Sequence, residues 1–277
     1  MSGNYLSDGA RLSFSDMGAG LPLVLLHPTP VDRDYWRPLT RELAGIRAIV
    51  PDLRGHGLSE LGSSLPTGGF AKVPDAPVLT MAQLAADVIA LLDHLKTSRV
   101  VCVGCSIGGY ILLELWRKAP QCISGLVFVC SKPQPDTDAG LAKRAETIHR
   151  ARAEGVSALF DGMAQSLPGA TARQERPEMT AEIRARMTLT PEAEVAVQAG
   201  LAARPDSVPT VATIRVPVLA IAGSEDSSVT AAEMEAFRAA PGGCEYHVLL
   251  NAGHFAAYEQ PRKVAALMAP WLRQFDA

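Results

Sequence analysis

The chain has 277 residues, 48% of them hydrophobic and 20% charged, with a formal net charge of −3. That length can bury a large core, and the charge balance offers no basic field for nucleic acid. No apolar run approaches the roughly 20 residues that span a bilayer, and the opening MSGNYLSDGARLSF lacks a charged-then-apolar leader, so the expectation is a soluble, cytoplasmic protein without a membrane or nucleic-acid partner.

Residues 4–16 read as a hairpin around Asp8-Gly9, a strong turn pair. Residues 21–26 form a short apolar run followed by Pro28, read as a buried strand. Residues 33–45 carry a helical pattern with Trp36, Leu39 and Leu43 on one side. A second buried strand, 48–50, stops at Pro51. Residues 60–80 are rich in Gly and Pro and read as a long surface loop. An amphipathic helix over 81–95 precedes a strand over 99–104, a helix over 107–118 and a strand over 126–130. Cys102 and Cys105 spell C-x-x-C, but no second pair completes a zinc site and the five cysteines are odd in number. The expectation is that both pack as small hydrophobes on and just beyond the strand. Residues 132–212 hold four helical patterns (139–153, 156–165, 178–187 and 191–203) and no strand. Strands over 216–222 and 246–250 and a helix over 261–275 close the chain.

Continuous apolar strands alternating with helices indicate a mostly parallel sheet covered by helices on both faces, an α/β fold. Residues 1–131 and 213–277 form its core in this reading, and 132–212 a helical cap over one end of the sheet.

Gly104-Cys105-Ser106-Ile107-Gly108 is a G-x-S-x-G placed between a strand and a helix, the setting in which a sharp turn lifts a serine above the sheet at a helix N-terminus. A serine hydroxyl needs a base. His254, after Gly253 and just beyond the last strand, is the strongest of the six histidines for that task. The base needs an acid to orient it. Asp226, on the loop after the strand 216–222, would emerge at the same sheet edge; Glu225 beside it, and Asp136 or Asp138 after the strand 126–130, are the competitors.

At these residues the chain resembles the α/β-hydrolase superfamily. The resemblance is carried by H-P-T-P at 27–30, P-D-L-R-G-H-G-L-S at 51–59, G-C-S-I-G-G at 104–109, G-S-E-D at 223–226 and G-H-F-A-A-Y-E-Q-P at 253–261. Within it, the chain is most similar to the 3-oxoadipate enol-lactonase and small-carboxylesterase group. The resemblance implies a triad of Ser106, Asp226 and His254, and an oxyanion hole from the backbone N–H groups of Ile107 and Thr29. The chain departs from the usual histidine-glycine start: Pro28 and Pro30 have no N–H, which leaves Thr29 as the only donor among residues 28–30. Asp52, Arg54, Gly55, His56 and Gly57 match a motif that in relatives braces the loop beside the site, and His27 is read in the same way. The cap is expected to shape the pocket with Leu159, Phe160, Met163, Leu167, Met179 and Met187.

The expected activity is hydrolysis of a small ester or lactone without metal or organic cofactor. A thioester or carbon–carbon substrate on the same triad is the alternative, as is a ligand-binding member of the fold with little turnover. A serine in the elbow argues against haloalkane dehalogenases and epoxide hydrolases, which place a carboxylate there.

Overall fold

A computed structural model of the protein describes residues 2–63 and 65–275. Eight strands form one sheet: β1 Ser2–Ser7, β2 Ala10–Gly18, β3 Leu21–Leu26, β4 Ile46–Pro51, β5 Val100–Cys105, β6 Ile123–Val129, β7 Val218–Gly223 and β8 Cys244–Leu249. Their spatial order is β1-β2-β4-β3-β5-β6-β7-β8. The first hairpin is antiparallel, and β2 runs antiparallel to β4; every pairing from β4 to β8 is parallel. The hairpin turns where expected, with positive φ at both Asp8 and Gly9, the backbone that a two-residue loop demands.

β5 and β7 are buried at every position, as strands sandwiched between helical layers must be. The helix Met81–His94 begins at Thr80, whose hydroxyl accepts from the Gln83 N–H, and buries Leu84, Val88, Leu91 and Leu92. The helix Ile107–Lys118 packs under β3, β5 and β6, and Pro261–Leu272 closes the other face of the chain's second half. No helix among the described residues is long and apolar enough to cross a membrane.

Three expectations change. Residues 33–45 are not one helix but a 3-10 turn, Arg33–Trp36, and one α-turn, Arg37–Thr40. Pro38 removes a donor there, and Gly45 at φ 72° turns the chain into β4. The apolar reading survives, since Trp36, Leu39 and Leu43 are all buried.

Residues 60–80 lack regular structure but are not a surface loop throughout. Phe70, Val73, Val78 and Leu79 are buried, and the Leu79 N–H donates to Ala196 O; Ser64 lies outside the described residues. Between β6 and β7 the four expected helices appear as Asp138–Glu154, Ser157–Ser166, Met179–Ala185 and Pro191–Ala202. Two short ones, Ala170–Glu175 and Val208–Val211, join them.

Candidate active site

β3 and β5 are parallel neighbours, yet the sheet continues from β3 toward β4 and from β5 toward β6. Such a reversal opens a crevice beyond the carboxyl ends of the two strands. Residues 27–30 after β3 and Ser106 after β5 both arrive there.

Ser106 sits at φ 52°, ψ −117°, a region that costs a residue with a Cβ on the order of 1–3 kcal/mol. Close contacts over-determine the turn. A Cβ on Gly104 would lie 2.5 Å from the carbonyl carbon of Gly108, and one on Gly108 would lie 2.2 Å from Leu26 O. The Ser106 N–H donates to Val129 O at 3.1 Å, and the Ser106 carbonyl accepts from Gly109 N–H at 2.9 Å and from the Ser131 hydroxyl at 2.8 Å.

His254 follows β8, and Asp226 follows β7. The His254 Nδ1 lies 2.8 Å from Asp226 Oδ2, while Asp226 Oδ1 accepts the N–H groups of Ser228 and Val229 at 2.8 and 3.0 Å. An ionised carboxylate only accepts, so the proton sits on Nδ1 and Nε2 is the basic nitrogen. Burial opposes both charges, but the pairing wins. It holds the Asp226 carboxyl below its usual range, with the two backbone donors helping, and the His254 imidazole above its own. Ser106 and His254 border one cavity of about 660 Å³, together with Thr29, Pro30 and residues of the helices between β6 and β7.

The backbone N–H groups of Thr29 and Ile107 donate to no backbone or side-chain acceptor among the described residues. The Thr29 hydroxyl is already committed. His56 Nδ1 donates to Arg54 O at 3.0 Å, which leaves Nε2 to accept the Thr29 hydroxyl proton at 3.0 Å. His27 donates from Nδ1 to Pro28 O at 2.9 Å and accepts the Leu53 N–H on Nε2 at 3.0 Å. Burial pushes the His27 imidazole down to about 4 and that of His56 to about 3, so both are neutral struts. Asp52 accepts the N–H groups of Arg33 and Leu58 at 2.9 Å each, and Arg54 is fully buried against Asp87 with its two nitrogens 2.6 and 2.9 Å from the carboxylate. These bonds tie the loop together, the bracing role that the family resemblance implies.

The rival acids lie elsewhere. Glu225 accepts from the Thr171 N–H at 2.9 Å and the Thr171 hydroxyl at 2.5 Å. Asp136 is held by Arg144 and Arg204, and Asp138 is exposed at a helix start. Cys102 and Cys105 are both buried free thiols; three positions apart on one strand, they face opposite sides of the sheet. Of the expected lining residues, Leu159, Met163 and Leu167 border the cavity. Phe160, Met179 and Met187 do not; all three are buried, Phe160 and Met179 on the packed faces of their helices and Met187 in the loop after Met179–Ala185.

Glu259 carries a role that the sequence reading missed. Its carboxylate accepts the N–H groups of Gly253 at 2.7 Å and Phe255 at 2.9 Å, the residues on either side of His254, and that of Gly169 at 3.1 Å. The His254 N–H itself donates to Leu167 O at 2.9 Å. Burial outweighs these donors and holds the Glu259 carboxyl above its usual range. The available signal was a glutamate five residues after the histidine, at the end of a one-turn helix, where it can reach back to the amides that precede it.

The family model described as the alpha/beta hydrolase family matches residues 23–267. A thermophilic esterase from Thermogutta terrifontis is 30% identical in sequence, with all of both chains covered and a TM-score of 0.89. An enol-lactonase from Burkholderia xenovorans is 25% identical over 98% of this chain and 100% of that one, with a TM-score of 0.85. The 2-succinyl-6-hydroxy-2,4-cyclohexadiene-1-carboxylate synthase of Salmonella arizonae is 28% identical over 261 residues, 92% of this chain and 95% of its own. With the family model covering most of its length, the chain belongs to the alpha/beta hydrolase family.

Proposed function

We propose that this protein is a serine hydrolase that cleaves a small carboxylic ester or lactone through an acyl-enzyme on Ser106. The observation that carries the reading is the His254–Asp226 pair at 2.8 Å on the cavity that Ser106 also borders. The two uncommitted N–H groups of Thr29 and Ile107 supply the second half of the chemistry. The likeness to an esterase and an enol-lactonase over whole chains supports the same class.

In this mechanism the Ser106 hydroxyl attacks the carbonyl carbon and gives its proton to His254 Nε2. The carbonyl oxygen becomes an oxyanion between the Thr29 and Ile107 amides, each worth roughly 3 kcal/mol of barrier. The imidazolium, stabilised by Asp226, protonates the departing alkoxide. Water then repeats the attack on the acyl-enzyme and releases the acid. No step needs a metal or organic cofactor. A cavity of about 660 Å³ suits a small-molecule substrate, and the helices between β6 and β7 act as the cap that shapes it.

The synthase relatives favour a second reading, in which the same three residues act on a bond other than an ester, a carbon–carbon or thioester bond among them. A chain-length series of p-nitrophenyl esters and simple lactones, assayed with wild type and Ser106→Ala, separates the two. Turnover that vanishes in the variant is the expected result. A wild type silent on the whole panel overturns the ester and lactone reading.

A further inference from the structure

The wall of the cavity built from the helices Ile107–Lys118, Asp138–Glu154 and Pro191–Ala202 is polar, which a pocket for a plain alkyl ester does not require. Three of the cations at this wall are already paired. Arg144 and Arg204 both hold Asp136, Arg204 at 2.6 Å, and Lys132 holds Glu233 at 2.5 Å. Arg144 also donates to Gln198 Oε1 at 2.8 Å, and Gln198 Nε2 donates to Glu194 Oε1 at 2.8 Å.

Two residues that border the cavity keep a polar atom without a partner among the described residues. Glu194 is fully buried, borders the cavity, and its Oε2 has no hydrogen-bond partner. Tyr110 borders the same cavity one helical turn beyond Ser106. The Arg204 guanidinium lies 4.5 Å from its ring centroid, and its hydroxyl bonds to no group among the described residues. A buried polar atom without a partner is costly, so the cavity is completed by a ligand group that fits a carboxyl oxygen and a phenol. A second carboxylate does not fit Glu194 in its ionised form, and a methyl group satisfies neither atom. An alcohol fits both, since it donates to a carboxyl oxygen and accepts from a phenol.

We propose that Glu194 and Tyr110 form a hydroxyl-recognising subsite, so that the preferred substrates are esters or lactones bearing a hydroxyl group away from the scissile carbonyl. This rests on the hydrolase reading above. Burial pushes the Glu194 carboxyl up to about 7, outweighing the Gln198 amide and the Arg144 charge, which act to lower it. Lys143 and Arg150 border the cavity from the exposed side of the cap and are the rival determinants, for a carboxylate-bearing substrate.

The test compares methyl hexanoate, methyl 6-hydroxyhexanoate and monomethyl adipate, which end in a methyl, a hydroxyl and a carboxylate. Acid release gives kcat/KM for wild type, Tyr110→Phe, Glu194→Gln and Glu194→Met. Calorimetric titration of Ser106→Ala with the intact esters reads recognition without turnover, so failure of the hydrolase reading and failure of the subsite are told apart. A hydrogen bond of ordinary net strength is worth roughly 3- to 10-fold. The expected result is a preference of that size for the hydroxy ester over methyl hexanoate, in both assays. It should shrink about 3-fold in Tyr110→Phe, survive in part in Glu194→Gln and disappear in Glu194→Met. Equal or weaker binding of the hydroxy ester, a preference for the adipate ester, or a hydroxyl preference unmoved by the Tyr110 and Glu194 variants would overturn the proposal.

Discussion

Replacing Glu259 by glutamine keeps the shape of the side chain but takes away one of its two acceptor atoms. Three backbone N–H groups converge on the carboxylate, two on Oε2 at 2.7 and 3.1 Å and one on Oε1 at 2.9 Å. The better amide orientation keeps the oxygen toward Gly253 and Gly169 and turns the NH2 against the Phe255 N–H, donor against donor. Bonds to an ionised acceptor are each worth about 1.5–3 kcal/mol. Losing one outright and weakening two gives a destabilisation of roughly 2–4 kcal/mol, a fall in Tm of about 5–10 °C for a chain of this size. Because Gly253 and Phe255 flank His254, the base shifts as well, and kcat should fall about tenfold with KM little changed. Thermal unfolding of both proteins at pH 8, followed by steady-state kinetics, gives both quantities. A Tm within 1 °C of wild type together with unchanged kcat would refute the claim that this carboxylate holds the histidine loop to the segment around Gly169.

Three further outcomes follow from the same geometry. In the proposed mechanism His254 must be neutral to take the serine proton, and pairing with Asp226 raises its pKa above the ordinary 6.5. The acid limb of kcat/KM should therefore lie above pH 6.5, activity being lost as pH falls through it, and Asp226→Asn should cut kcat by about 10³- to 10⁴-fold; a limb below pH 6 contradicts the assignment. Gly108→Ala would place a Cβ 2.2 Å from Leu26 O, so denaturant unfolding should show a loss of more than about 2 kcal/mol, and a neutral result would mean that the elbow relaxes freely. Thr29→Val removes the hydroxyl bonded to His56 but keeps the amide. Its kcat/KM should fall less than about tenfold, whereas a loss of about 10³-fold would transfer the oxyanion role to the hydroxyl.

The motifs legible in the sequence were those whose chemistry depends on short spacing. A serine between glycines at a strand–helix junction constrains its own backbone, and Gly104 and Gly108 are needed for contacts within a few residues of it or with the neighbouring β3. Asp226 and Glu225 share the loop after the strand 216–222, and Glu225 stayed a competitor in the sequence. Their separation became physical when Glu225 was found bonded to Thr171, a residue 54 positions away. Long-range pairings of this kind leave no local pattern. The same holds for Glu259, whose partners are backbone amides that any residue would supply, and for Glu194, whose significance is an oxygen without a partner. The helix expected at 33–45 failed for a different reason. The apolar positions Trp36, Leu39 and Leu43 do face the core, but Pro38 and Gly45 allow short turns to present them equally well. Helical spacing also could not tell Leu159 and Met163, which border the cavity, from Phe160 and Met179, which pack helix against helix.

The most direct test of the central claim is to trap the acyl-enzyme. Wild type mixed with p-nitrophenyl acetate and quenched in acid within the first turnovers should release a burst of p-nitrophenol near one equivalent per chain, and peptide mass spectrometry should place a single acetyl group on Ser106. Steady turnover without a burst, or an acetyl group found on another residue while Ser106 stays unmodified, would contradict it.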